Sequence, residues 1–302
     1  MRRRDFLAAG PLAAVVASAC GRARSGDPDR AAGDRPAGRS GAPREADPTR
    51  ESAVGFGLGV QIYTLREEIA EGLDPVLATL AEIGYREVEL YQLHGLTAVE
   101  MRSRLDAVGL RAASSHYGLP LLRDDFERTL DGALALGQDL MVVPSLDGDE
   151  RTAEGLRRVA DDFNRLGERI RGAGLRFGYH NHDWEFEALP DGTLPIDLLL
   201  DHTDPDLVDW QMDIFWTVQG GGDPMALLGE RAGRVMSVHV KDRTATGEMV
   251  DVGDGVIDFR TILAEADRQG LMHAFVEHDF PGDAVASVRR SFAHLNSLGV
   301  TG

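Results

Sequence analysis

Short apolar runs rich in β-branched residues alternate with longer segments of helical periodicity from Phe56 onward. The short runs are typical of buried parallel strands, and the longer segments are typical of helices that pack on such a sheet. Eight runs occur, at residues 58–63, 87–91, 110–115, 140–144, 175–180, 207–213, 234–240 and 274–278. Eight strand–helix units in about 250 residues is the usual size of a TIM barrel. The pattern therefore predicts an α/β protein with a (β/α)8 barrel.

The segments between the strands favour the same fold. Asp74 followed by Pro75 predicts a helix start, and Thr97 with Glu100 has the pattern of a capping box. Further helices are predicted at 125–136, 152–171, 195–200, 224–231, 259–269 and 284–298. The alternative is an open, doubly wound sheet, which normally has a glycine-rich phosphate-binding turn after its first strand. The sequence QIYTL at residues 61–65 contains no such turn.

The first 55 residues differ in character from the rest. Residues 1–20 begin with basic residues that include Arg3 and Arg4, and continue with an uncharged Ala/Val-rich run. This predicts a twin-arginine signal peptide rather than an ordinary secretory signal. Cys20 follows a small-residue cleavage motif, so lipid attachment at Cys20 and plain cleavage before it are both open. Residues 21–55 predict a disordered linker, and we expect an exported protein that is periplasmic or lipid-anchored at the cell envelope.

Composition and charge narrow the class of function. The 302 residues carry a formal net charge of −18, and because the first 55 residues hold 10 Arg and 7 acidic residues, the remainder carries −21. Proteins that bind nucleic acid neutralise its phosphates with Lys and Arg, so this charge argues against a nucleic-acid partner. The chain has one cysteine, so a metal site must be built from His, Asp and Glu.

Ionisable side chains stand at nearly every predicted strand end, and the C-terminal ends of barrel strands share one mouth. Burying an unpaired charge is costly, so convergence in an active site explains them best. They are Glu89, His116, His180, His182, Asp213, His239, Lys241 and Glu277. Taken singly, each has a structural alternative, such as an ion pair for Glu89 or a helix cap for Asp213. Four consecutive strands offer mixed N and O ligands for one divalent ion (Mn, Zn, Co or Fe), from His180, Asp213, His239 and Glu277.

Residues 56–302 carry an ordered series of motifs. They are GYHNHDWEF at 178–186, QMDIFW at 211–216, HVKD at 239–242, VGDGVIDF at 252–259 and VEHD at 276–279. This series resembles the xylose-isomerase-like sugar phosphate isomerase/epimerase superfamily. The resemblance implies a TIM barrel whose divalent metal is held by Glu, Asp, His and Glu from strands five to eight. The last three fall on Asp213, His239 and Glu277, whereas His180 stands where the epimerases usually have Glu.

The resemblance also implies proton transfer next to the carbonyl of a sugar or keto-sugar, through a metal-stabilised enediolate. Epimerases use two glutamates as acid and base, and His180 replaces one of them. Glu277 would then need a second acid/base residue, which could be His182, Glu185, Glu89 or Lys241. The alternative is elimination or hydration next to a ketone, as in inosose dehydratases and 3-keto-glycoside lyases. His116, Trp216 and Glu185 are expected to contact the substrate, with Trp216 stacking on a sugar face.

Lys241 is the single lysine of the chain and stands two residues after His239. Lysine can release a proton when burial and a nearby cation lower its pKa, whereas arginine cannot. Lys241 is therefore expected to donate a proton or hydrogen bond to the developing enolate. The alternative is a scaffold ion pair with Asp242 or another carboxylate of the mouth.

Two other classes of function are compatible with the fold. Endonuclease IV shares the superfamily, but a nuclease needs a basic DNA track that a domain of charge −21 does not offer. A non-catalytic sugar-binding lipoprotein does not need so many candidate bases beside a metal. We expect a small carbohydrate as the partner, without a phosphate group. We expect membrane contact only through a lipid anchor at Cys20.

Overall fold

The structure, a computed structural model, describes residues 55–300. Eight parallel strands form a closed barrel in chain order, and the first strand pairs with both the second and the eighth. The strands are Gly57–Gln61 (β1), Glu87–Leu90 (β2), Arg111–His116 (β3), Leu140–Val143 (β4), Arg176–His180 (β5), Asp209–Asp213 (β6), Val235–Val240 (β7) and His273–Val276 (β8). The predicted TIM barrel is confirmed. The predicted signal peptide and linker fall outside the described residues, except for Gly55.

Helices surround the barrel. They are Arg66–Glu71 (α1), Leu73–Ile83 (α2), Ala98–Val108 (α3), Leu119–Asp124 (α4), Phe126–Leu136 (α5), Ala153–Gly172 (α6), Pro195–His202 (α7), Ile214–Gln219 (α8), Pro224–Glu230 (α9), Phe259–Arg268 (α10) and Ala284–Ser297 (α11). The capping box of Thr97 and Glu100 is present at α3. Asp74 is not an N-cap, because α2 already begins at Leu73. Within residues 55–300, none of the helices is long and apolar enough to cross a lipid bilayer.

Helix α6 packs on β5 and fixes which side chains of that strand face outward. Its buried residues recur at helical spacing and include Leu156, Val159 and Phe163. They share a hydrophobic cluster with Phe177 and Tyr179, which therefore lie on the outer face of β5. Burying each such side chain stabilises the fold by about 1.5–3 kcal/mol. Because successive strand residues point to opposite faces, His180 faces the barrel interior.

The barrel interior is divided by an aromatic side chain. Phe275 in β8 has its ring centroid 6.2 Å from the ring of His239 and 5.7 Å from the ring of His273. Gly59 makes room for it, since a Cβ at Gly59 would lie 2.7 Å from the Phe275 ring. One charged cluster lies on the N-terminal side of Phe275, and another lies at the C-terminal mouth. A short hairpin that pairs Asp242–Arg243 with Met249–Val250 follows β7.

Candidate active site

Three carboxylates at the mouth surround one buried ammonium group. Lys241 Nζ lies 3.0 Å from Asp213 Oδ2, 2.7 Å from Glu277 Oε2 and 2.9 Å from Asp279 Oδ1. Burial disfavours the charged lysine, but these carboxylates outweigh burial and raise the pKa of Lys241 well above its usual value. These contacts favour the ion-pair alternative, although the partners of Lys241 do not include Asp242. The expected role of Lys241 as a donor to the enolate stays a prediction.

Asp242 instead holds a loop at the mouth. Its side chain is buried and accepts hydrogen bonds from four backbone N–H groups. Oδ1 accepts from Arg243 and Ile257, and Oδ2 accepts from Gly253 and Gly255, at 2.8–3.2 Å. A Cβ at Gly255 would lie 2.2 Å from Asp242 Oδ1, so glycine is needed for this close approach. The Asp242 carboxylate thus fixes the backbone conformation of the motif at 252–259.

Glu89 is fully buried inside the barrel and is shared among several strands. It accepts hydrogen bonds from the Gln61 side chain at 2.9 Å and the Gln211 side chain at 2.8 Å. His239 Nε2 lies 2.5 Å from Glu89 Oε2, and His116 Nε2 lies 3.2 Å from it. Burial opposes its ionisation, but His116 and His239 outweigh this and hold the pKa of Glu89 well below its usual range. Both oxygens of Glu89 are engaged, and these contacts favour a role in orienting His239; the expectation that Glu89 is a second catalytic base stays a prediction.

Gln211 is a buried residue that the sequence reasoning missed. Its Nε2 donates to Glu89 Oε1, which fixes its amide orientation and leaves Oε1 as an acceptor. Oε1 lies 2.9 Å from His116 Nε2 and 3.1 Å from His180 Nδ1, so both histidines donate to it. His180 therefore keeps a free electron pair on Nε2. The signal in the sequence is a polar residue two positions before Asp213, on the same face of β6.

The predicted ligand residues meet at one place and fit a divalent ion. Asp213, His239 and Glu277 each offer a ligand atom within 4.8 Å of the others. His180 Nε2 lies 3.7 Å from Asp213 Oδ2, and this oxygen has no hydrogen-bond partner within residues 55–300. Asp213 also caps α8, because its Oδ1 accepts from the Trp216 backbone N–H at 2.9 Å. An imidazole nitrogen with a free electron pair beside a carboxylate oxygen that is paired only with Lys241 offers the donor chemistry that a divalent metal requires.

His239 lies between two carboxylates, with Nδ1 2.8 Å from Glu277 Oε2 and Nε2 at Glu89. Burial disfavours its charged form, but Glu89 and Glu277 outweigh burial and raise the pKa of His239 to about 10. Glu89 on Nε2 is the usual support of a ligand histidine, and His239 could bind a metal ion through Nδ1 only once that nitrogen has lost its proton. His116, His180 and His239 form a second group whose ligand atoms lie within 4.8 Å of one another.

His182 and Trp216 line the rim of this cluster. The His182 ring centroid lies 5.0 Å from that of His180 and 5.9 Å from that of Trp216. Burial, with the charge of Lys241, lowers the pKa of His182 to about 3, so its ring is neutral at pH 7. Within residues 55–300, His182 Nδ1 and Trp216 Nε1 have no hydrogen-bond partner. Both are therefore buried polar atoms with unused hydrogen-bonding capacity beside the cluster.

Glu185 does not join the cluster. It is fully buried, and its carboxylate accepts from the Tyr179 hydroxyl at 2.5 Å and from the His182 backbone N–H at 2.8 Å. Tyr179 lies on the outer face of β5, so the carboxylate is drawn toward the helix layer. Burial raises the pKa of Glu185 to about 7. Glu185 thus holds the turn that carries His182, and its expected contact with the substrate stays a prediction.

Comparison with known proteins agrees with this fold. An inosose dehydratase of Geobacillus kaustophilus is 27% identical in an alignment of length 251 that covers 68% of this chain and 80% of that protein. Inosose dehydratase 2 of Bacillus cereus is 30% identical over 276 residues, covering 76% and 92%. The crystal structure of a sugar phosphate isomerase/epimerase from Parabacteroides distasonis is 28% identical with a TM-score of 0.73, covering 82% of this chain and 96% of that one. Residues 77–298 match the family model described as xylose isomerase-like TIM barrel, and the chain belongs to this family.

Proposed function

We propose that the protein is a metal-dependent enzyme that eliminates water next to the carbonyl of an uncharged keto-sugar or keto-polyol. The observation that carries this proposal is the free Nδ1 of His182 beside the cluster of Asp213, Lys241 and Glu277. Curated relatives named as inosose dehydratases support elimination rather than epimerisation.

His180, Asp213, His239 and Glu277 would hold the metal ion. A divalent ion at this position supplies Lewis-acid polarisation of the substrate carbonyl, which acidifies the neighbouring C–H bond. Glu89 and Gln211 keep the ligand histidines in the required orientation. Glu277 stays ionised, because Lys241 and His239 lower its pKa against the effect of burial, whereas burial raises the pKa of Asp213 to about 6.

We assign the base to His182, although the low pKa of its imidazole, about 3, makes it a weak one. Its neutral imidazole accepts the proton from the carbon beside the carbonyl, and a carbon–carbon double bond forms as the hydroxyl on the next carbon leaves. The proton is returned from His182 to that hydroxyl, so one molecule of water is released and no second base is required. One base on one side of the mouth agrees with Glu89 and Glu185 being engaged elsewhere.

The charges around the mouth favour an uncharged substrate. Three guanidinium groups follow β1, β4 and β7 in the chain, and each donates to backbone carbonyls. Arg66 donates to Tyr63 and Asp279, Arg151 to Leu146, and Arg243 to Val218. The ammonium of Lys241 is bound by three carboxylates. A phosphate dianion would meet acidic groups rather than a free cation. Trp216 offers an aromatic face to a sugar ring instead.

Incubation of the purified Mn²⁺-loaded protein with an inosose, followed by mass spectrometry and ultraviolet absorbance, tests this proposal. We expect loss of one water and the absorbance of a conjugated enone. His182→Gln should lower kcat by about 10²-fold or more, because general-base catalysis contributes that much. His202→Gln, an exposed histidine on α7, is the control and should keep full activity. A product of unchanged mass would instead support epimerisation and sink the elimination.

We also infer that the protein works outside the cytoplasm, because of the twin-arginine pattern at Arg3 and Arg4. Cell fractionation of a variant with both residues changed to lysine tests this. Retention of that variant in the cytoplasm is expected, and equal export of both forms would contradict the inference.

A further inference from the structure

Lys241 binds the same carboxylates that the proposed metal ion would use. Its Nζ contacts Asp213 Oδ2 and Glu277 Oε2 at 3.0 and 2.7 Å, and only 2% of the side chain is exposed. Ammonium–oxygen and metal–oxygen contacts differ by less than about 1 Å, since carboxylates bind Zn²⁺ at about 2.0–2.2 Å. One carboxylate oxygen cannot serve both cations at full strength. The two cations therefore compete for Asp213 and Glu277.

Asp279 gives Lys241 a third partner that does not belong to the proposed ligand set. Asp279 Oδ1 lies 2.9 Å from Nζ, and its side chain is 15% exposed, so it lies toward the solvent side of the cluster. The Asp279 backbone is held separately, because its carbonyl accepts from Arg66 and its N–H contacts Met249 Sδ. The Asp279 carboxylate can thus remain ion-paired with Lys241 when Asp213 and Glu277 bind a metal ion.

The buried carboxylates need a cation at all times. Asp213 and Glu277 are 0% and 7% exposed, and a buried carboxylate that loses its partner is strongly destabilising. Lys241 meets this need without any external ligand. It is the one lysine of the chain, and its flexible stem ends in a compact charge that can shift between neighbouring carboxylates.

We propose that Lys241 is a tethered competitor for the divalent-cation site, which holds Asp213 and Glu277 together until a metal ion displaces it onto Asp279. This inference rests on the metal site of the proposed function. Lys241 is then a residue that sets the affinity for the metal ion. This role requires no proton transfer from the lysine. The fold then persists without metal, and only a cation that binds more strongly than the ammonium enters.

Titration calorimetry of the full chain with Mn²⁺ tests the inference. Lys241→Met removes the competitor and should tighten Mn²⁺ binding by tenfold or more, and the rise in Tm on adding Mn²⁺ should be larger than in the wild type. Arg66→Met is the matched control, since this guanidinium contacts backbone carbonyls and none of the three carboxylates, and it should leave Mn²⁺ affinity within about twofold.

Asp279→Asn provides a second variant that keeps the two ligand carboxylates intact. This change removes the carboxylate that pairs with Lys241 after a metal ion has displaced it from Asp213 and Glu277. Mn²⁺ binding should therefore weaken at least threefold. In the Lys241→Met background the same change should have a smaller effect, because the two residues act together. Equal or weaker Mn²⁺ binding by Lys241→Met, with normal binding by the wild type, would overturn the inference alone. Absence of Mn²⁺ binding in the wild type and in every variant would overturn the proposed metal site as well.

Discussion

A cluster of charged side chains closes the N-terminal end of the barrel, opposite the mouth, and it makes stability depend on pH. His273 Nδ1 lies 2.7 Å from Glu87 Oε2, and its Nε2 lies 3.4 Å from Asp139 Oδ2. Arg111 binds both carboxylates, at 2.5 and 2.6 Å. Burial disfavours charge on His273, but Asp139 and Glu87 outweigh burial and raise the pKa of His273 to about 8.

The sign and size of the effect follow from this pKa. Because the pKa of His273 in the folded state lies above the usual 6.5, its proton stabilises the folded state. The stabilisation is fully present below about pH 6.5 and is lost as the pH rises through about 8. A difference of about 1.5 pKa units corresponds to about 2 kcal/mol. Asp139 remains ionised throughout, since bonding to His273 and Arg111 lowers its pKa.

Urea unfolding of the wild type and His273→Gln at about pH 6 and about pH 9 measures the effect. The difference in unfolding free energy between the two proteins should be about 2 kcal/mol larger at the lower pH. Comparing the two proteins at each pH removes the contribution of other titrating groups, and the exposed His202→Gln serves as control. A difference that is the same at both pH values would refute the reasoning.

Two further predictions concern the support of the mouth. Asp242→Asn should lower the free energy of unfolding by about 3 kcal/mol and speed hydrogen exchange at residues 252–259, because an amide cannot accept from four backbone N–H groups at once. Asp254→Asn, an exposed residue of the same loop, is its control, and equal effects in both would contradict this account. Gln211→Leu should weaken Mn²⁺ binding about 10–100-fold in calorimetry, because His180 and His116 lose the acceptor that orients them. The exposed Gln92→Leu should bind normally, and unchanged affinity in Gln211→Leu would remove the orienting role.

The succession of strands and helices in the barrel was predictable, because the sequence features that specify each element are local. Apolar runs, capping residues and glycine stops act within a few residues of one another, and all eight predicted strands are present. The exact ends were less predictable. The run that begins at Leu58 leaves the strand after Gln61 and turns into the 3-10 helix Ile62–Leu65. Helix α8 was also missed, because six residues are too few to show a helical period.

The sequence by itself determined the barrel, the family resemblance and the set of ionisable residues at the strand ends. Only the tertiary structure decided what each of them contacts, because those contacts join residues far apart in the chain. Glu89 and His239 are 150 positions apart, and their contact favours a supporting role for Glu89. The packing of β5 brings Glu185 to Tyr179. The closure of β6, β7 and β8 around one mouth brings Lys241 to its three carboxylates. Burial and the neighbouring charges, which no local pattern specifies, then together set the charge of each group.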